Sequence, residues 1–183
     1  MNSLKDIYES NGYYFPININ EEIKINLAKE KLIQLSNNPP KNIKHPWNLQ
    51  AHLLADWIYD ICVAPKLLDT VEKVIGPNIF IQSADIFIKP ANGKKHINWH
   101  QDANYWGLDP YELVTGWIAI TDVNLDNGCM NYLPKSHLHQ KIEHTETFDK
   151  NSDLTRGQEI NLEINDKDVV PVILEKGQAA LHH

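Results

Sequence analysis

Of the 17 basic side chains in this 183-residue chain only Arg156 is an arginine, and 24 acids leave a formal charge of -7. A surface that follows nucleic-acid phosphates needs a basic stripe, and none can be drawn here. Cysteine is equally sparse. Cys62 and Cys129 are too few and too far apart for a disulfide framework or a zinc knuckle, so both are expected to act as small apolar groups in a reducing compartment. No run of about 18 apolar residues could cross a bilayer. The opening residues, MNSLKDIYESNGYY, carry acids and lack the apolar stretch of a secretory signal. The expectation is a cytoplasmic protein whose partners include neither membrane nor nucleic acid, with 42% hydrophobic residues to build one core.

What is present changes character along the chain. Ile25, Ala28, Leu32 and Leu35 recur at steps of three and four behind Glu21-Glu22, which predicts a helix over residues 21–35. Leu49, Leu53, Trp57 and Ile61 predict a second helix. Pro65 opens a third, carrying Leu68, Val71 and Ile75 and stopped by Gly76-Pro77. From Ile79 the period shortens to that of strands, expected at 79–81, 86–88, 114–121, 159–164 and 169–174, while polar residues 143–157 read as a long loop. The chain is thus expected to be one α+β, mainly β domain over 1–183, helical over 1–76 and β over 77–183.

The chemistry concentrates in Trp99-His100-Gln101-Asp102. On an extended segment, side chains two apart point to the same side, so His100 and Asp102 share a face. Two such donors and one distant histidine build the 2-His-1-carboxylate face that leaves positions on Fe(II) open. The triplet is short, and a surface histidine beside a solvated aspartate reads the same way. The flanking residues carry more. Tyr105-Trp106, Trp117, the acidic turn from Asp122 to Asp126, Asn127-Gly128-Cys129 and Pro134-Lys135-Ser136-His137 follow the triplet in order.

In that order these elements resemble the phytanoyl-CoA dioxygenase family of Fe(II)/2-oxoglutarate-dependent oxygenases, and Asn11 to Pro16 extends the resemblance toward the N-terminus. The resemblance implies a double-stranded β-helix, a cupin-like jelly roll with the N-terminal helices packed on it. It further implies Fe(II), 2-oxoglutarate and O2, with 2-oxoglutarate decarboxylated to succinate while a small-molecule substrate is hydroxylated. A carboxylate at Asp102 favours hydroxylation, because halogenating relatives carry Ala or Gly there. By the same resemblance Lys89 and Trp117 would lie toward the cosubstrate, and Gln82 and Trp106 toward the substrate.

The family's third ligand is a histidine in an H-x-x-x-x-H-G-S-like element, followed about ten residues later by an arginine that forks onto the far carboxylate of 2-oxoglutarate. Residues 177–183, GQAALHH, match the stretch just before that ligand. His183 then aligns with the earlier histidine, and the third ligand is expected about five residues beyond it. The C-terminal strands of the barrel are correspondingly expected to be missing. His182 or His183 as third ligand is the alternative. Arg156 lies in the polar loop, outside the position of the cosubstrate anchor. Two rival readings are a non-catalytic fragment and a cupin-like metal-binding module without oxygenase activity. His45, His52, His96, His139 and His144 are expected to be solvated or structural, and His137 to cap nearby backbone in the P-x-S-H turn.

Overall fold

The computed structural model describes residues 3–41, 50–107, 113–139, 141–154 and 156–183. The element that organises them is β7 (Gln178–His182), the middle strand of an antiparallel sheet. On one side it pairs with β1 (Tyr13–Asn18) and on the other with β2 (Thr115–Ile118). Its side chains alternate with the pleat. Ala179 and Leu181 point into one cluster with Ile17, Ile25, Ala28, Ile61, Leu67 and Val71; Ala180 points into a second with Ala119, Val172 and Leu174. One sheet thus holds helices on one face and the remaining strands on the other. Filling the first cluster with Leu181, fully buried, stabilises the fold by roughly 1.5–3 kcal/mol relative to an exposed side chain.

The helices arise where the sequence supplies both a face and a start. α1 (Leu4–Asn11) begins with a capping box in which Ser3 and Asp6 satisfy each other's backbone N–H. It ends at Gly12, whose φ of 84° only glycine adopts without strain. α2 (Glu22–Asn37) buries Ile25 and Ala28, as the spacing predicts. The second predicted helix is instead two, α3 (Ala51–Leu54) and α4 (Asp56–Cys62), because Ala55 is extended at φ -146°. Leu49 and His45 lie outside the described residues. α5 (Pro65–Ile75) starts on its proline as expected, but buries Leu67, Thr70 and Val71 and leaves Ile75 exposed.

Three expectations about strands are corrected. The part expected to be helical, residues 1–76, also contains β1, which ladders with β7 and belongs to the sheet. Residues 79–81 and 86–88 form no strand: their Ile-Phe-Ile triplets have strand propensity, yet no ladder partner faces them among the described residues, and Phe80 and Phe87 are exposed. The polar loop 143–157 contains one half of a hairpin, β4 (His144–Glu146) against β5 (Gln158–Ile160). The remaining strands are short, β3 (Asn131–Tyr132) paired with β6 (Val170–Pro171), and Leu174 bridges Val123. No helix among the described residues is long and apolar enough to cross a membrane.

Candidate metal centre

His100 and Asp102 do meet, though not through a pleated strand. Trp99 takes one backbone bond from Ile160, and Asp102 sits in helical geometry (φ -59°, ψ -42°) as the cap of α6 (Ala103–Trp106). That bend turns the carboxylate back, so that His100 Nε2 lies 3.1 Å from Asp102 Oδ1. The far nitrogen of the ring is committed: His100 Nδ1 is 2.7 Å from the carbonyl oxygen of Asn98. A carbonyl only accepts, so Nδ1 carries the hydrogen. In the neutral ring Nε2 then presents a lone pair to a carboxylate oxygen. A cation belongs between them, either a proton or a metal ion. The spacing suits a metal, since two donors bonded at about 2.1 Å in adjacent positions on one ion stand about 3 Å apart. Imidazole with carboxylate is also the donor chemistry that Fe(II) accepts.

The electrostatics agree. Burial alone would raise the Asp102 carboxyl, but the hydrogen bonds and charges of His100 and His182 hold it well below its ordinary value. For His100, burial pulls the imidazole down, and the bond and charge of Asp102 with the Asn98 carbonyl outweigh it, leaving the ring raised. The site therefore attracts positive charge.

The other edge of the carboxylate is built by the sheet. In the ladder His182 of β7 stands opposite Thr115 of β2 and Tyr13 of β1. Thr115 Oγ1 donates to Asp102 Oδ2 at 2.6 Å, and His182 Nε2 lies 3.1 Å from the same oxygen. The Tyr132 hydroxyl is 2.8 Å from His182 Nδ1. Its ring packs on His182 (5.0 Å between centroids) and stacks on Tyr13 (5.1 Å), with Phe15 beyond. Burial, then the charge of Asp102, push the Tyr132 phenol up. Because the two histidines address different oxygens, no group of three His, Cys, Asp or Glu among the described residues is disposed around one metal position. His183 leaves this face; its ring lies 5.6 Å from that of His137.

The remaining expected site residues are placed unevenly. Trp117 lies two residues beyond Thr115 on β2 and packs against the cluster of Ala119, Val172, Leu174 and Ala180. Trp106 is half-buried on α6, one residue after Tyr105, whose ring meets His100 edge-on at 5.7 Å. Lys89 donates to the carbonyl of Gly128 at 2.8 Å, and Gln82 is exposed. Arg156 pairs with Glu146.

Of the histidines expected to be solvated or structural, two are structural: His52 is buried, and His144 Nε2 accepts from the backbone N–H of Gln101, between the two candidate ligands. His137 caps backbone, but not locally: Nε2 donates to the Glu9 carbonyl in the last turn of α1. The residues that the sequence reading missed are Thr115, Tyr132 and Tyr13. Only the strand alternation of 114–121, which sets Thr115 and Trp117 on one face, could have pointed to the first.

Comparison with known proteins bears on the family and the fold. Residues 18–183 match the profile of the phytanoyl-CoA dioxygenase (PhyH) family. The peroxisomal phytanoyl-CoA dioxygenase of Homo sapiens is 31% identical over 84 residues, 44% of this chain and 25% of that protein. Phytanoyl-CoA dioxygenase domain-containing protein 1 of Danio rerio is 31% identical over 128 residues, 66% of this chain and 42% of that protein. The chain thus spans less than half the length of these relatives. Among solved structures, the non-heme monooxygenase ThoJ without metal superposes with a TM-score of 0.82 at 31% identity, covering 99% of this chain and 68% of that one. The α-ketoglutarate-dependent epimerase SnoN gives 0.67 at 17%, which speaks for the fold alone, over 98% of this chain and 70% of that one. With that match over residues 18–183 and this likeness to ThoJ, the chain belongs to the phytanoyl-CoA dioxygenase family and has its cupin-like jelly-roll fold.

Proposed function

We infer that this chain carries two of the iron ligands, His100 and Asp102, of an Fe(II)- and 2-oxoglutarate-dependent oxygenase that hydroxylates a small molecule. The carrying observation is the facing of His100 Nε2 and Asp102 Oδ1 at 3.1 Å while Nδ1 is committed to the Asn98 carbonyl. Fixing the far nitrogen in this way is how proteins aim a histidine at a metal. Bound there, iron with 2-oxoglutarate and O2 supplies the oxidising chemistry. The chain's own residues hold, orient and shield. Asn98 sets the tautomer of His100; Thr115 donates to Asp102 Oδ2; the rings of Tyr13, Phe15 and Tyr132 pack beside the site and exclude water. Trp117, on the Thr115 face of β2, takes the cosubstrate side. Trp106 and Gln82 take the substrate side. Lys89 serves the cosubstrate only by exchanging its bond to Gly128 for one to a carboxylate.

A second reading has an observation of its own. Among the described residues neither a third ligand nor an arginine joins Asp102, because His182 addresses the other oxygen and Arg156 is held by Glu146. On this ground the 183-residue chain is a metal-binding module with little 2-oxoglutarate turnover. One experiment separates the readings: Fe(II) titration under argon, then succinate formation with 2-oxoglutarate, ascorbate and O2. Binding with turnover supports the oxygenase, binding without turnover the module. Absence of binding refutes both.

A further inference from the structure

We propose that Tyr132, His182 and Thr115 form a clamp that occupies Oδ2 of Asp102 and leaves Oδ1 as its metal-facing oxygen, so that His182 positions the carboxylate and is not itself a ligand. The purpose of the clamp rests on the reading of His100 and Asp102 as iron ligands; its hydrogen bonds do not. The argument turns on which groups can donate. Thr115 has one hydroxyl hydrogen and spends it on Oδ2 at 2.6 Å. His182 is set between a phenol and that same carboxylate oxygen, at 2.8 and 3.1 Å. A phenol both donates and accepts, whereas a carboxylate only accepts. If Nδ1 carried the hydrogen, Nε2 would turn a lone pair on Oδ2 and the Tyr132 hydrogen would be left over. If Nε2 carries it, every donor meets an acceptor: Tyr132 donates to Nδ1, Nε2 donates to Oδ2, and Thr115 donates to Oδ2. The neutral ring is then complete with no metal.

His100 cannot reach that state. Its Nδ1 faces a carbonyl, so a neutral ring leaves Nε2 unsatisfied against Oδ1. Two imidazoles flank one carboxylate, and only that of His100, when neutral, turns a lone pair on it. The ladder explains why the clamp is rigid: His182 stands directly opposite Thr115, so both donors approach Oδ2 from neighbouring strands held by the sheet. Tyr132 is in turn fixed by stacking on Tyr13, the partner of His182 on the other strand.

The test follows ring nitrogens in the 183-residue chain labelled with 15N-histidine, first metal-free and then with Zn(II) as a diamagnetic probe. The clamp requires His182 to be the Nε2–H tautomer in both states. Tyr132→Phe should leave the hydrogen on Nε2, held there by Oδ2, and move the Nδ1 resonance alone as that nitrogen loses its donor. Loss of the Nε2–H of His182 on adding Zn(II) would make it a ligand and overturn the proposal, as would a metal-free spectrum with the hydrogen on Nδ1. Zn(II) affinity gives a second readout. His182→Gln retains a donor near the Nε2 position and should bind within about threefold of the parent, while His182→Leu should lose about tenfold or more, the range for outer partners of metal ligands. His100→Gln is the comparator, and equal losses in His182→Gln and His100→Gln would also refute the clamp. A chain in which Zn(II) leaves His100 unmoved would refute the iron reading, while the Nε2–H tautomer of His182 and a Tyr132→Phe shift confined to its Nδ1 would still support the clamp.

Discussion

The two edges of the Asp102 carboxylate are built from the same parts and come out differently. Each oxygen faces an imidazole Nε2 at 3.1 Å. On one edge the far nitrogen of the ring looks at a backbone carbonyl, on the other at a phenol. A carbonyl forces its histidine to spend its hydrogen outward, which turns a lone pair on the carboxylate and makes a place for a cation. A phenol returns a hydrogen to the ring, which lets Nε2 donate inward and closes the edge. What separates a metal-binding histidine from a supporting one is therefore the group behind the ring, and not the distance in front of it.

Deleting the shared carboxylate, or the imidazole of its metal-facing edge, should have the largest effect. Asp102→Ala and His100→Ala should each weaken Fe(II) binding by more than about 100-fold, beyond the range for outer partners, in anaerobic titration; unchanged affinity in both would remove the metal assignment. Next comes Gly12→Ala, which strikes only the His182 edge. The backbone N–H of His183, next in chain to His182, donates to the Gly12 carbonyl. At φ 84° an added Cβ would lie 2.5 Å from His137 Nδ1. Left-handed strain and overpacking together should cost about 2–4 kcal/mol in urea denaturation, and a loss under 1 kcal/mol would count against the contact.

Thr115→Val removes one donor to a charged oxygen and should destabilise the metal-free chain by about 1.5–3 kcal/mol, with the Asn98 contact of His100 intact. The smallest effect is a pH dependence of opposite sign in the two states. The metal-free His100 ring is raised above 6.5, so its contribution is full below that value and is lost as pH rises through the raised one. Asp102 is depressed, so its contribution is full above 3.8 and fades only as pH falls well below it. Thermal stability without metal should fall through neutrality. Zn(II) affinity should rise over the same range, by at most about tenfold per pH unit, because the metal replaces one proton. Parallel trends would indicate that no proton leaves His100.

The parts of this site that could be read from the sequence were those close together along the chain. His100 and Asp102 are two apart, and any local bend that keeps the carboxylate near the ring preserves the pair. Here the bend is a helix cap at Asp102 in place of a pleated strand. Ile25 and Ala28 were legible because a one-sided helix repeats its face. Thr115, Tyr132 and Tyr13 were not, since they meet His182 through antiparallel register between distant strands, and a one-residue slip would turn each away. The β4 hairpin was invisible for another reason: His144-Thr145-Glu146 is polar on both faces and shows no alternation. Residues 79–88 failed in the opposite sense, because strand propensity is a property of a segment and a ladder needs two.

The central place of β7 also sets the order in which this chain can mature on the ribosome. Both neighbours of β7 are made long before it, and β1 meets its partner roughly 160 residues downstream. Until residues 178–182 emerge, β1 and β2 are edges without a centre, and the apolar side chains of Ile17 and Ile118 have no Leu181 or Ala179 to close over them. Such a nascent chain offers open strand edges to its neighbours. Holdase chaperones should therefore engage ribosome-bound chains from which residues 178–182 have not emerged and release them once β7 is outside the ribosome.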